Sequence, residues 1–324
     1  MRSIVILFVI LIFCVNLSAQ NVNSSNINDI QYSIKLIKFY IEKNEYDTAL
    51  EYIDKTLEVS AQKDSLFIFK GFIYKDQEDW LKASECYAKA ILYTQDEQLI
   101  NEVLVDFEKA IMLVSPLQAI DIVSSAVTKA LIPQKHTGFL YILASLYENN
   151  QLYSEANDVY NTIILEVDES EKYSLQIKIA TNSIFQKEYN ETLNILKPLI
   201  AENDSINNEK LLFLDYIANI SLERYEKAKN SLLRLYLEYP NHPNRIEILS
   251  GLAEVFEWEQ QYLMSWYMLN ELYKISNEAQ KFKLQNEIEQ IKKRIYESNK
   301  LNDQFKYLKP VFEEDIHKQI TDKE

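Results

Sequence analysis

One short phrase recurs along this chain, and its spacing decides most of what the chain can fold into. Polar residues are followed by an aromatic, and a small residue stands three positions on: Tyr46…Ala49, Trp80…Ala83, Tyr153…Ala156, Tyr189…Thr192, Tyr225…Ala228 and Tyr262…Ser265. A further copy, Pro116…Ala119, fills the one long gap with proline in the aromatic's place. The small residues stand 34, 36, 37, 36, 36 and 37 positions apart. A fixed period of about 20–50 residues is the signature of a stacked array of like units.

Each unit reads as two helices. After the small residue, apolar side chains follow in steps of three and four, as in Ala83, Tyr87, Ala90 and Ile91, or Ala156, Tyr160, Ile163 and Ile164. Such steps put all of them on one helix face. The same period precedes the phrase, in Phe67, Gly71 and Tyr74, in Leu140, Ala144 and Tyr147, and in Leu249, Ala253 and Phe256. A polar turn joins the two helices. The small residue lets them approach closely, and proline is tolerated at Pro116 because the first helical turn needs no backbone donor. One hairpin cannot bury its faces alone, so neighbours must stack. With 3 glycines and 6 prolines in 324 residues, the tight turns of a mostly-β fold are not supplied.

At this point the chain resembles the tetratricopeptide repeat family, whose unit is about 34 residues long. Residues 64–97 carry that family's pattern in Phe67, Gly71, Tyr74, Ala83, Tyr87 and Ala90, with Gln95 where the closing proline belongs. That proline is present as Pro240, and Leu252-Ala253 stands for the family's Leu-Gly pair. The third unit departs most, with Phe107 and Glu108-Lys109-Ala110 at the Gly and Tyr positions. The resemblance implies an all-α fold, a right-handed superhelical solenoid of about seven helical hairpins over residues 30–276. A helix at 277–300 then caps it through Leu284, Ile288, Ile291 and Ile295.

The flanks differ from the repeats. Arg2, the apolar run Ile4 to Val15 and the small residues up to Ala19 form the charged, apolar and cleavage regions of a secretory signal peptide at 1–19. The run is too short to span a bilayer, which needs roughly 20 apolar residues. Export across the inner membrane to the periplasm is therefore expected. Cys14 opens the alternative of a lipid-anchored outer-membrane subunit, against which stands Phe13, too large for a lipoprotein signal box. Residues 20–29, rich in Asn and Ser, read as a disordered lead-in, and residues 301–324 as a charged tail.

No constellation of catalytic residues emerges. His136, His242 and His317 are far apart in sequence, Gly71, Gly138 and Gly251 are isolated, and Cys86 is the one cysteine beyond the leader. Catalytic, cofactor and metal sites are therefore not expected, and Cys86 reads as a packing residue. A net charge of −15 disfavours nucleic acid as a partner.

The resemblance directs attention to the first helix of each hairpin, along which ligands of this family lie. Its offsets fall on Ile34, Ile68, Phe72 and Tyr141, then on Ile177, Phe185, Phe213, Ile217 and Trp258. Leu104, Ile184 and Ile220 share the pattern, with Lys38, Lys75, Glu148, Asn149, Glu254 and Glu257 as polar members. Lysine and asparagine clamps for a terminal carboxylate are replaced mostly by apolar side chains, which suits an apolar or amphipathic protein segment. The expectation is a non-catalytic envelope scaffold; a carbohydrate or small-ligand module is the remaining alternative, supported by the 22 Tyr and 3 Trp.

Overall fold

The computed structural model describes residues 24–202 and 208–297. Among the described residues all regular elements are α-helices: α1 Ser24–Glu42, α2 Tyr46–Val59, α3 Lys63–Asp76, α4 Trp80–Tyr93, α5 Glu97–Ile111, α6 Pro116–Lys129, α7 Pro133–Asn149 and α8 Tyr153–Ile164. They continue as α9 Glu169–Phe185, α10 Tyr189–Glu202, α11 Asn208–Ser221, α12 Tyr225–Glu238, α13 Arg245–Trp258, α14 Tyr262–Ile275 and α15 Glu278–Glu297. Every aromatic of the repeated phrase, and Pro116, is the first residue of the second helix of a hairpin. Residues 24–29, expected within a disordered lead-in, already belong to α1. The leader at 1–19 and the tail at 301–324 lie outside the described residues.

The chain forms two compact units, one up to Leu175 and one from Gln176. In the first, one core gathers Ile37, Ala49, Ile53, Leu66 and Ile73. A larger core runs from Ala83 to Leu146, with the Phe107 ring edge-on to Phe139 at 5.5 Å. In the second unit, Leu232, Leu249 and Leu252 share a core with Leu269 and Leu272, and Leu284, Ile288, Ile291 and Ile295 of α15 join it. The outward face of α15 is mostly charged or polar and exposed.

The small residues of the phrase explain the hairpins. Ala49, Ala83, Ala119, Ala156, Thr192, Ala228 and Ser265 are all at 0% exposure, each at the crossing of its two helices. Thr192 fits the crossing by directing its hydroxyl to the Glu188 carbonyl of its own helix and, at 3.5 Å, to the Ala180 carbonyl of the facing one.

Six of the hairpin turns share one backbone design. Asn44, Glu78, Gln151, Lys187, Glu223 and Gln260 all have φ between 57° and 63°. Around each, the next residue's N–H reaches back five positions: Glu45 to the Tyr40 carbonyl, Asp79 to Tyr74, Leu152 to Tyr147, Glu188 to Ser183, Arg224 to Asn219 and Gln261 to Phe256, at 2.8–2.9 Å. The left-handed residue itself donates three positions back, as Glu78 does to the Lys75 carbonyl at 3.1 Å. This is the Schellman ending, which satisfies the last carbonyls of the first helix and reverses the chain. The turn before Pro116 is built otherwise. A residue preceding proline is driven to extended ψ, and Ser115 has ψ 142° where Glu45, Asp79, Leu152, Arg224 and Gln261 have ψ of 60–73°. The helix start and the small-residue crossing survive the proline; the left-handed turn does not.

Caps mark other boundaries. The Asp96 carboxylate accepts from the Gln98 and Leu99 N–H groups at 2.9 and 3.2 Å. Asn277 and Gln280 exchange side-chain and backbone bonds at 3.0 and 3.1 Å, a reciprocal capping box that starts α15.

Candidate partner-binding faces

The first helices of the hairpins, α1, α3, α5, α7, α9, α11 and α13, carry the residues singled out for binding. In the first unit a polar ladder links successive first helices. Lys75 of α3 pairs with Asp106 of α5 at 2.9 Å, and Gln134 of α7 donates to Asn101 of α5 at 3.3 Å. Tyr141 of α7 donates to Glu171 of α9 at 3.4 Å, and Thr137 to Glu166 at 2.8 Å. Burial, followed by the Glu171 carboxylate, raises the Tyr141 phenol above its ordinary range. Ile34 and Phe72 are partly buried against the smaller core, and Ile68 against the larger one. This face is thus a cross-linked polar surface with apolar side chains half sunk between helices.

The second unit offers more open aromatic surface. Phe185 and Trp258 are 59% and 51% exposed, whereas Ile177, at 5%, is a core side chain and offers no surface. Phe213 packs between Tyr216, at 6.0 Å between ring centroids, and His242, at 5.3 Å. The His242 ring is buried: its Nδ1 accepts from the Asn244 N–H at 2.9 Å, leaving Nε2 to carry the proton, 3.6 Å from Glu209. Phe213 is therefore as much a packing residue as a surface one, and Ile217 lies half-buried on the same helix.

α13 holds an arrangement that the repeat offsets only half revealed. Glu247, Gly251, Glu254 and Trp258 step by four, three and four, which aligns them on one helix face. A Cβ at Gly251 would meet Leu232 Cδ1 of α12 and the Tyr216 hydroxyl of α11, both at 3.0 Å, so the phenol and a core leucine share the gap the glycine leaves. Burial, then Glu254, then Glu247, raises the Tyr216 phenol. At the end of the stripe the Trp258 and Tyr225 rings meet edge to face at 4.4 Å. Glu257, also among the expected polar positions, is neutralised by Arg294 of α15 at 2.5 Å. Glu247 stands outside the family offsets, and the role of Tyr216 depends on Gly251 of the neighbouring first helix, so the repeat pattern marks neither.

Among the described residues no group of three or more His, Cys, Asp or Glu is placed to hold a metal ion, and no helix is long and apolar enough to cross a membrane. Cys86 is buried; its burial raises the thiol to about 11. Lys135 was not anticipated. Although buried, it reaches from α7 to the C-terminal end of α4, donating to the Leu92 carbonyl at 3.0 Å and to that of Thr94.

No family model matches the chain, and no curated protein matches it. Among solved structures it is similar to tetratricopeptide repeat proteins. One from Parabacteroides merdae is 16% identical with a TM-score of 0.46, the match covering 74% of this chain and 94% of that one. PilF of Pseudomonas aeruginosa is 16% identical with a TM-score of 0.36, over 67% of this chain and 95% of that one. The TPR2AB domain of yeast Sti1, solved as a complex with pHSP90, is 12% identical with a TM-score of 0.33, over 82% of this chain and 98% of that one.

Proposed function

We propose that this chain is a non-catalytic scaffold or adaptor that docks a protein segment on the first-helix face of its hairpins. The observation that carries this reading is Trp258: a half-exposed tryptophan at the end of α13, held edge to face by Tyr225. Large aromatic side chains held in position at a surface are the usual anchors of protein interfaces.

We further propose that it works beyond the inner membrane, in the periplasm, with a protein of the cell envelope as its partner. Support comes from Arg2, the apolar run from Ile4 to Val15 and the small residues ending at Ala19.

The test is crosslinking in living cells with the full-length tagged chain, followed by identification of the captured proteins. A reproducible envelope partner that is lost when Trp258→Ala is introduced, with the melting temperature little changed, supports the reading. Recovery of the chain alone under varied crosslinkers sinks it. Mass analysis of the mature N-terminus, Gln20 or lipidated Cys14, decides between the free and the anchored form.

A further inference from the structure

We infer that the α13 face of the second unit takes a basic amphipathic protein segment, one with two cationic side chains about two helical turns apart and an apolar anchor one turn beyond. This rests on the docking reading above and adds the chemistry of the partner.

The argument begins with spacing. At about 1.5 Å per residue, Glu247 and Glu254 stand about 10 Å apart along α13, and Trp258 lies about 6 Å further. Both carboxylates are exposed, and among the described residues neither forms an ion pair, although α13 and α15 carry Arg245 and Arg294 within the same unit. Those two arginines are engaged elsewhere. Arg245 stacks on Tyr236 at 4.4 Å and donates to its carbonyl at 3.0 Å, and Arg294 holds Glu257. The face therefore neutralises Glu257 and leaves Glu247 and Glu254 uncompensated, flanking the Tyr216 hydroxyl over Gly251.

Two uncompensated carboxylates alone would be a solvated acidic surface. Here they lie in line with an exposed aromatic pair, Trp258 and Tyr225. Tryptophan and tyrosine faces attract both apolar side chains and cations. An acidic segment would meet repulsion from both glutamates, and a purely apolar one would strip water from them with no return. A segment with lysine or arginine seven residues apart and a leucine or tryptophan four residues on satisfies all three positions at once. The net charge of −15 on the whole chain also favours the approach of a cationic partner.

The experiment titrates the full chain with two fluorescein-labelled helical peptides. One carries Lys at the two charged positions and Trp at the anchor; the other has Glu in place of Lys. The expected result is binding of the Lys peptide alone. It should weaken about tenfold for the Glu247→Gln/Glu254→Gln double variant, as two partly exposed ion pairs imply, and weaken again as salt rises past about 0.1 M. Trp258→Ala should weaken it independently of salt. If both peptides bind alike, or the double Gln variant binds the Lys peptide as wild type does, the charge assignment is overturned while docking on this face stands. If neither peptide binds, the assignment fails, and the capture of a partner in cells then decides whether docking fails with it.

Discussion

The Tyr87 ring occupies the space that any side chain at position 71 would need: a Cβ on Gly71 would lie 2.7 Å from Tyr87 Cε1 and 2.9 Å from Cδ1. Gly71 is on α3 and Tyr87 on α4, both in the repeat pattern, so the glycine and the aromatic of that pattern are here two halves of one contact. Alanine at position 71 would gain about 1 kcal/mol of helix propensity. The overpacking it causes costs about 1–3 kcal/mol, and Tyr87, at 2% exposure, has little room to move. Gly71→Ala should therefore lower stability by up to about 2 kcal/mol in urea denaturation. Adding Tyr87→Leu should make the pair less costly than the sum of the single changes. Additive losses would show that the contact is not what requires glycine.

The six left-handed turns make a second prediction. None of Asn44, Glu78, Gln151, Lys187, Glu223 and Gln260 is glycine, although each has positive φ. For residues with a Cβ that conformation costs about 1–2 kcal/mol. Glu78→Gly should raise the urea midpoint, the unfolding free energy gaining up to about 1 kcal/mol once the greater freedom of glycine in the unfolded chain is counted. Glu78→Val should lower it. A Glu78→Gly protein less stable than wild type would mean that the glutamate side chain contributes more than its backbone strain costs.

These turns show what was legible in the sequence and what was not. The hairpins were legible because the crossing residues are small at a constant period, and side-chain volume is written directly in the residue type. The Schellman endings were not, because their usual marker, glycine, is missing at all six places. The proline at 116 announced a helix start correctly. Its effect on Ser115 alters the turn, a consequence of sterics one residue upstream. At the candidate face, Trp258 was visible from the repeat offset. Tyr216 was not, since its role depends on Gly251 of the neighbouring first helix. Ile177 shared the offset of the exposed positions yet is buried, so a helical offset places a residue on a face but does not say how deeply the neighbours cover it.

Lys135 ties the start of α7 to the end of α4 and gives a pH-dependent prediction. Its ammonium satisfies the Leu92 and Thr94 carbonyls, where the helix dipole favours positive charge. Desolvation by burial nonetheless depresses its pKa, with Asp64 opposing. The folded protein therefore releases this proton at lower pH than the unfolded chain, whose lysine titrates near 10.4. Between the folded pKa and that value the unfolded state binds more protons, and stability from this group rises with pH. Lys135→Met should cost about 1–3 kcal/mol at neutral pH by leaving two carbonyls without their donor. The gap between wild type and variant should widen as the pH is raised from about 8 to about 10. Fluorescence-monitored urea melts at several pH values would show it; a gap that narrows reverses the sign of the argument.

Cys86 should be chemically silent while the chain is folded. Burial raises its thiol to about 11, outweighing the opposing effect of Lys70 and Lys89, and only the thiolate reacts with disulfide reagents. Near pH 8, reaction with an aromatic disulfide should be slow in buffer and complete in strong urea. Rapid reaction without denaturant would place the thiol at the surface.

The last prediction compares the crossings with one another. Ser265 occupies the same fully buried position as Ala49, Ala83, Ala156 and Ala228, yet among the described residues its Oγ has no hydrogen-bond partner. A buried hydroxyl without a partner costs about 1–3 kcal/mol relative to a methyl group in the same place. Thr192 avoids that cost because its hydroxyl finds the Glu188 and Ala180 carbonyls. Ser265→Ala should therefore stabilise the protein by about 1 kcal/mol, whereas Thr192→Ala should not. Ala156→Leu tests the same crossing from the steric side: with 0% exposure at Ala156, the added volume should lower stability by about 1–3 kcal/mol. Calorimetric melts of the three variants would read both effects. If Ser265→Ala and Thr192→Ala shift stability alike, hydroxyl satisfaction is not what separates the crossings; if Ala156→Leu melts with wild type, the helices do not approach as closely there as their burial indicates.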